Sequence, residues 1–159
     1  MVFDTTTEKT SDTWITPRYV TSALGEFDLD PCAHTDMPHI HAKMCYTIID
    51  DGLQQEWKGR VWMNPPYSKA KEFMKKLANH GNGIAFIYTR VETKMFFDYV
   101  WDKGDAVFFF KGRVKCIREN GETMSSPPAS NCLIAYGKQN VQAIADSGLD
   151  GKLINLKAT

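Results

Sequence analysis

The sequence predicts an α/β fold class: a mostly parallel sheet with helices on both faces and an antiparallel C-terminal hairpin. Three observations lead there. Ile84-Ala85-Phe86-Ile87-Tyr88 is a continuous apolar run of strand length, the pattern of a central strand buried on both faces. Over the first two-thirds of the chain, short strand-like runs alternate with amphipathic helical stretches, which favours parallel strands connected across the sheet. Residues 112–117 and 131–136 are two further strand-like runs, joined by a turn-rich segment and readable as an antiparallel pair.

The 159 residues suit a single core and are too few for two. Residues 1–12 are polar and aperiodic and read as a loose arm ahead of one domain spanning 13–159. No apolar run approaches the roughly 18 residues of a membrane span, and the N-terminus lacks a basic-then-apolar leader pattern. A cytoplasmic protein is the expectation. Cys32, Cys45, Cys116 and Cys132 form no C-x-x-C pair, so reduced thiols are expected. A formal net charge of zero advertises no global field for nucleic acid, so any DNA contact has to use a local patch.

In chain order, Thr16-Pro17 reads as the cap and first turn of a helix running to about Leu24, stopped by Gly25. Phe27-Asp28-Leu29-Asp30-Pro31 reads as a short strand. A carboxylate at the C-terminal end of such a strand faces the ligand crevice of an open α/β sheet, which makes Asp30 a cofactor candidate. Residues 32–56 contain Cys32, His34, His39, His41 and Cys45, but their spacings fit no zinc template, and the histidines read as solvated. No metal is expected. Met44 to Ile49 reads as a strand, followed by Asp50-Asp51-Gly52-Leu53, whose carboxylates are either crevice groups or plain turn residues.

Val61-Trp62-Met63 is a buried strand stopped by Asn64-Pro65-Pro66-Tyr67-Ser68. Two prolines carry no N–H and hold the backbone carbonyls stiffly, Asn64 adds an amide acceptor, and Tyr67 adds a flat face. Such a loop grips an exocyclic amine or planar amide and stacks on the ring bearing it. Ser68 then caps a helix from Lys69 to about Asn79, with its lysines on a solvated face. Thr93 caps another through Trp101, Asp105 to Phe110 is a strand, and Gln139 to Ser147 is a short helix before an edge strand or tail. Lys111, Arg113 and Lys115 alternate with apolar residues, which puts three cations on one face: a phosphate contact or a solvated edge.

Asn64-Pro65-Pro66-Tyr67 matches the catalytic motif of amino-methyltransferases, which methylate adenine N6, cytosine N4 or glutamine amides. Together with Trp14-Ile15-Thr16-Pro17, Asp30-Pro31-Cys32-Ala33, Asp51-Gly52-Leu53, Gly112-Arg113-Val114 and the stretch from Ser126 to Leu133, it resembles the phage-type, Dam-like DNA adenine N6-methyltransferases. The resemblance implies a Rossmann-like methyltransferase fold, S-adenosylmethionine as cofactor and flipped-out adenine in DNA as substrate. It implies cofactor contacts at Trp14, Thr16, Pro17, Asp30, Pro31, Cys32, Ala33, Asp51 and Asn64, and catalysis at Asn64, Pro65, Pro66 and Tyr67. Ser68, Lys111, Arg113 and Lys115 are the DNA candidates. His34-Thr35-Asp36 stands where many larger relatives have a glycine-rich continuation, and no separate target-recognition domain is expected. Other amine or amide substrates (cytosine N4, RNA adenine, glutamine side chains) remain open, as does a non-catalytic DNA-binding module on the same fold. No obligate protein partner is evident.

Overall fold

The computed structural model describes residues 14–35, 41–118, 120–123 and 128–157. The expected arm at 1–12, His39 and Ser126 therefore lie outside the described residues. Seven strands form one mixed sheet: β1 (Phe27–Asp30), β2 (Ala42–Cys45), β3 (Val61–Met63), β4 (Gly83–Tyr88), β5 (Ala106–Phe110), β6 (Asn131–Tyr136) and β7 (Gly151–Asn155), in the order β2-β1-β3-β4-β6-β5-β7. β1 pairs in parallel with β2 and β3, and β3 in parallel with β4. β6 runs antiparallel between β4 and β5, and β7 antiparallel along the outer side of β5.

The antiparallel partner of 131–136 is thus 106–110, not 112–117. Phe108 faces Leu133 and Val107 faces Ile134, so the aromatic run of β5 takes the ladder. Residues 113–116 join no ladder, and Ile117 makes only isolated bridges to Ile15 and Thr123. Burial explains the choice. Val107 and Phe108 are apolar on both faces, whereas Arg113 and Lys115 must stay wet. Similarly, β2 begins at Ala42 and ends at Cys45, and residues 48–50 form a turn that leaves Ile48 and Ile49 exposed.

β3 is buried on both faces, and its period of two sends Val61 and Met63 one way and Trp62 the other. The first face is covered by α2 (Ala70–His80) through Phe73, Met74 and Leu77, with Phe96 and Val100 beside it. The second is covered by α1 (Arg18–Ala23) through Val20 and by α4 (Lys138–Asp146) through Ile144. Helix starts differ from expectation by a residue or so. Thr16 and Ser68 do not cap, Pro17 precedes α1, and a 3-10 turn at Tyr67–Lys69 leads into α2. Thr93 does cap, accepting from the Phe96 N–H, but after α3 (Lys94–Phe96) the helix continues as a π-helical turn over Phe97–Trp101.

Candidate functional site

The loops at the carboxyl ends of β1, β3 and β4 enclose two adjoining cavities. The larger, about 460 Å³, runs from Asp30-Pro31-Cys32-Ala33 past Trp14 and Thr16 to Asp51 and Gly52. The smaller, about 360 Å³, is lined by Pro65, Tyr67, Phe86, Tyr88, Arg90 and Asn131, among others. Trp14, Asn64 and Ser68 line both.

Asp30 ends β1 with its side chain in the wall of the larger cavity, 5% exposed. Its Oδ1 accepts from the Cys32 N–H at 3.1 Å, an Asx-type turn that shapes the Pro31-Cys32 corner. Among the described residues no cation pairs with it. Burial therefore pushes the carboxyl up to about 7, with the Cys32 N–H pulling weakly the other way. The same burial, reinforced by Asp30, raises the Cys32 thiol, so this cysteine is a neutral wall group rather than a nucleophile.

The far wall is the turn at 51–53. Asp51 sits at φ 53°, the left-handed region that Asp tolerates better than most residues. Gly52 is required by contact: a Cβ there would lie 1.9 Å from the Pro31 carbonyl oxygen. The turn is also tied from behind. The Trp57 Nε1–H donates to the Gly52 carbonyl at 2.8 Å, and Lys76 Nζ donates to the carbonyls of Leu53 (2.9 Å) and Gln55. Lys76 thus leaves the solvated lysine face that helical spacing suggested, and its ammonium lies 5.1 Å from the Trp57 ring. His41, also expected in solvent, is half-buried against Trp62 and shares a 2.9 Å hydrogen bond with Thr21. No cluster of metal-binding side chains occurs among the described residues.

Asn64 is where the two cavities meet. Its Nδ2 donates to the Trp14 carbonyl (2.5 Å) and to Thr16 Oγ1 (3.0 Å), both on the segment that crosses this end of the sheet. With both N–H groups engaged, the amide has one orientation, and Oδ1 is left as an acceptor with no donor among the described residues. Pro65 faces the smaller cavity and Pro66 the larger. Tyr67 projects at 57% exposure, edge-on to Tyr88 with centroids 5.9 Å apart, and the Arg90 guanidinium lies 5.8 Å from its ring centre.

The family model for DNA N-6-adenine-methyltransferase (Dam) matches residues 4–145. The chain belongs to the Dam family. It is also 32% identical over 91 residues to the DNA N-6-adenine-methyltransferase of Escherichia phage T1, a match covering 50% of this chain and 36% of that relative. This Dam-family chain therefore spans about a third of the length of the curated relative it matches.

Of the residues that the resemblance assigned to the cofactor, Trp14, Thr16, Asp30, Pro31, Cys32, Ala33, Asp51 and Asn64 share the larger cavity. Pro17 is buried behind it and lines neither cavity. The four residues assigned to catalysis divide between the cavities as described. Ser68 lines both, whereas Lys111, Arg113 and Lys115 are exposed and line neither. Sequence reasoning missed Tyr88, Arg90 and Asn131. Arg90 follows a strand end and carried a usable signal, whereas Asn131 fell within the Ser126–Leu133 stretch of the resemblance but was given no role beyond starting a strand.

Proposed function

We propose that this Dam-family protein methylates the exocyclic N6 amine of adenine in DNA, using S-adenosylmethionine, with the target base flipped into the smaller cavity. One observation carries the reading: two cavities converge on an Asn64 amide whose N–H groups are tied back and whose oxygen is left to accept. The sheet supports it too, since an antiparallel β6 inserted beside β5 suits a Rossmann-like methyltransferase.

The larger cavity fits the cofactor on its own chemistry. A buried carboxylate without a cationic partner, Asp30, is a place for a positively charged ligand. Trp14, Thr16, Asp30 and the 31–33 corner would hold its methionine end, and the Asp51-Gly52 turn its adenosine. When bound, S-adenosylmethionine supplies an already activated methyl group, so the protein's task is placement.

A base inside a duplex cannot reach Asn64, and flipping it out costs a few kcal/mol of stacking and pairing. Tyr67 offers a replacement stacking surface, worth about 1–3 kcal/mol per base. The N6 hydrogens donate to Asn64 Oδ1 and the Pro65 carbonyl, which favours pyramidal nitrogen and frees its lone pair from the ring. Alignment of that lone pair with the methyl group is worth up to about 7–11 kcal/mol in well-oriented systems. No general base is needed before transfer, because the cationic product sheds its proton readily. Ser68 at the cavity mouth and the exposed cations Lys111, Arg113 and Lys115 are proposed phosphate contacts.

The test is transfer of isotope-labelled methyl from S-adenosylmethionine into unmethylated DNA, read as modified nucleosides, beside Asn64→Ala. Label in N6-methyladenine that falls at least 100-fold in the variant is the expected result. Label in N4-methylcytosine, RNA or protein instead would overturn the substrate, and no transfer to any of them would overturn the activity.

A further inference from the structure

Asn131 is a polar residue in an apolar wall. It starts β6, is 7% exposed, and lines the smaller cavity beside Phe86 and Tyr88. Its backbone is level with Tyr88 in the ladder, and directly opposed residues of an antiparallel pair share a face. Among the described residues its side-chain amide makes no hydrogen bond. Its amide is the polar group among its neighbours Phe86, Tyr88 and Cys116 in that wall, available to a polar group entering the cavity.

The face matters as much as the burial. Trp62 pairs with Ile84 across β3 and β4, and period two then carries the same face to Phe86 and Tyr88. One more step along β3 beyond Met63 places Asn64 on that face as well, where its amide meets the Trp14–Thr16 segment. Two amides thus stand on one sheet face at the same end of the sheet. One has its donors tied back and presents an acceptor. The other keeps both donors and its acceptor for whatever enters between them.

We infer that Asn131 recognises the flipped base by donating a hydrogen bond to the ring nitrogen beside the exocyclic amine, N1 or N7, and so fixes the rotation of the ring. This rests on the proposed reading of the smaller cavity as the base pocket. An amide paired with an adenine ring nitrogen and its amine is a recurrent recognition geometry. Asn64 alone holds the amine but leaves the ring free to swing about it. A second anchor removes that freedom, so Asn131 is a positioning and specificity residue, not one that touches the transferred methyl.

The experiment compares wild type, Asn131→Asp and Asn131→Ser on DNA carrying adenine, 1-deazaadenine or 7-deazaadenine at the methylated position, with S-adenosylmethionine binding followed separately. Wild type is expected to lose about tenfold in kcat/KM with one of the two analogues, the effect of one hydrogen bond. Both variants should lose a similar factor on adenine and nothing further on that same analogue, with cofactor affinity unchanged. Variants within twofold of wild type on adenine, or an analogue penalty that persists undiminished in both, would overturn the role of Asn131 while leaving the methylation reading intact. Wild type that methylates no adenine at all would overturn the pocket itself.

Discussion

Asp30→Asn should make the ligand-free protein more stable at pH 8 while abolishing tight cofactor binding. The carboxyl is held at about 7 against an ordinary 3.8, because it is buried and, among the described residues, meets only the Cys32 N–H. A group raised in the folded state binds more protons there than in the unfolded chain. Its contribution is therefore most favourable below about pH 4 and is lost as pH rises to about 7. At about 1.4 kcal/mol per unit, the full penalty above pH 7 is roughly 4 kcal/mol. Asn keeps the shape and the acceptor for Cys32 but leaves its own N–H groups to be satisfied, a cost of about 1–3 kcal/mol. The net expectation is a gain of about 1–3 kcal/mol at pH 8, shrinking or reversing by pH 5. Urea unfolding of both proteins across pH 5 to 8, without ligand, measures it. Parallel pH profiles, or an Asp30→Asn protein less stable at pH 8, would refute the argument that this carboxylate is buried and uncompensated. Calorimetry completes the test: wild-type affinity for S-adenosylmethionine should weaken as pH falls below about 7, and the variant should bind poorly throughout.

Two further outcomes follow from the same site. Gly52→Ala puts a Cβ 1.9 Å from the Pro31 carbonyl oxygen, so either the 51–53 turn or the 31–33 corner must move. A loss of about 1–3 kcal/mol in unfolding free energy is expected, with weaker cofactor binding, and unchanged values for both would show that the corner yields freely. Tyr67→Ala removes an exposed ring that, among the described residues, sits edge-on to Tyr88 and beneath Arg90. Stability should stay within about 0.5 kcal/mol of wild type. KM for DNA should rise roughly tenfold or more, as the lost stacking requires; a large fall in the melting temperature instead would make Tyr67 a structural residue.

Much of this molecule is legible from local chemistry. The apolar run from Ile84 to Tyr88 has the length and pattern of a buried strand, and two prolines after Met63 mark the end of another. Asp30 was expected at the crevice because strand ends in open α/β sheets face ligands, and Asn64 in a rigid acceptor loop because two prolines follow it. The pairing partner of β6 was not legible. Both 106–110 and 112–117 have strand-like patterns, and the choice depends on how much apolar surface each buries once β7 is in place. The wall residues were harder still. Lys76 looks like any helix-surface lysine until the 52–55 carbonyls are folded over it.

What the sequence determined by itself was the α/β class, most of the strands and helices, and the family, all of which depend on residues close together in the chain. Tertiary structure alone decided the orientation of the Asn64 amide, because its partners Trp14 and Thr16 lie about fifty positions earlier. It alone raised Asp30, since desolvation depends on everything packed around a group and not on its neighbours in sequence. And it alone brought Asn131 into the wall of the smaller cavity, across a ladder whose register no local pattern encodes.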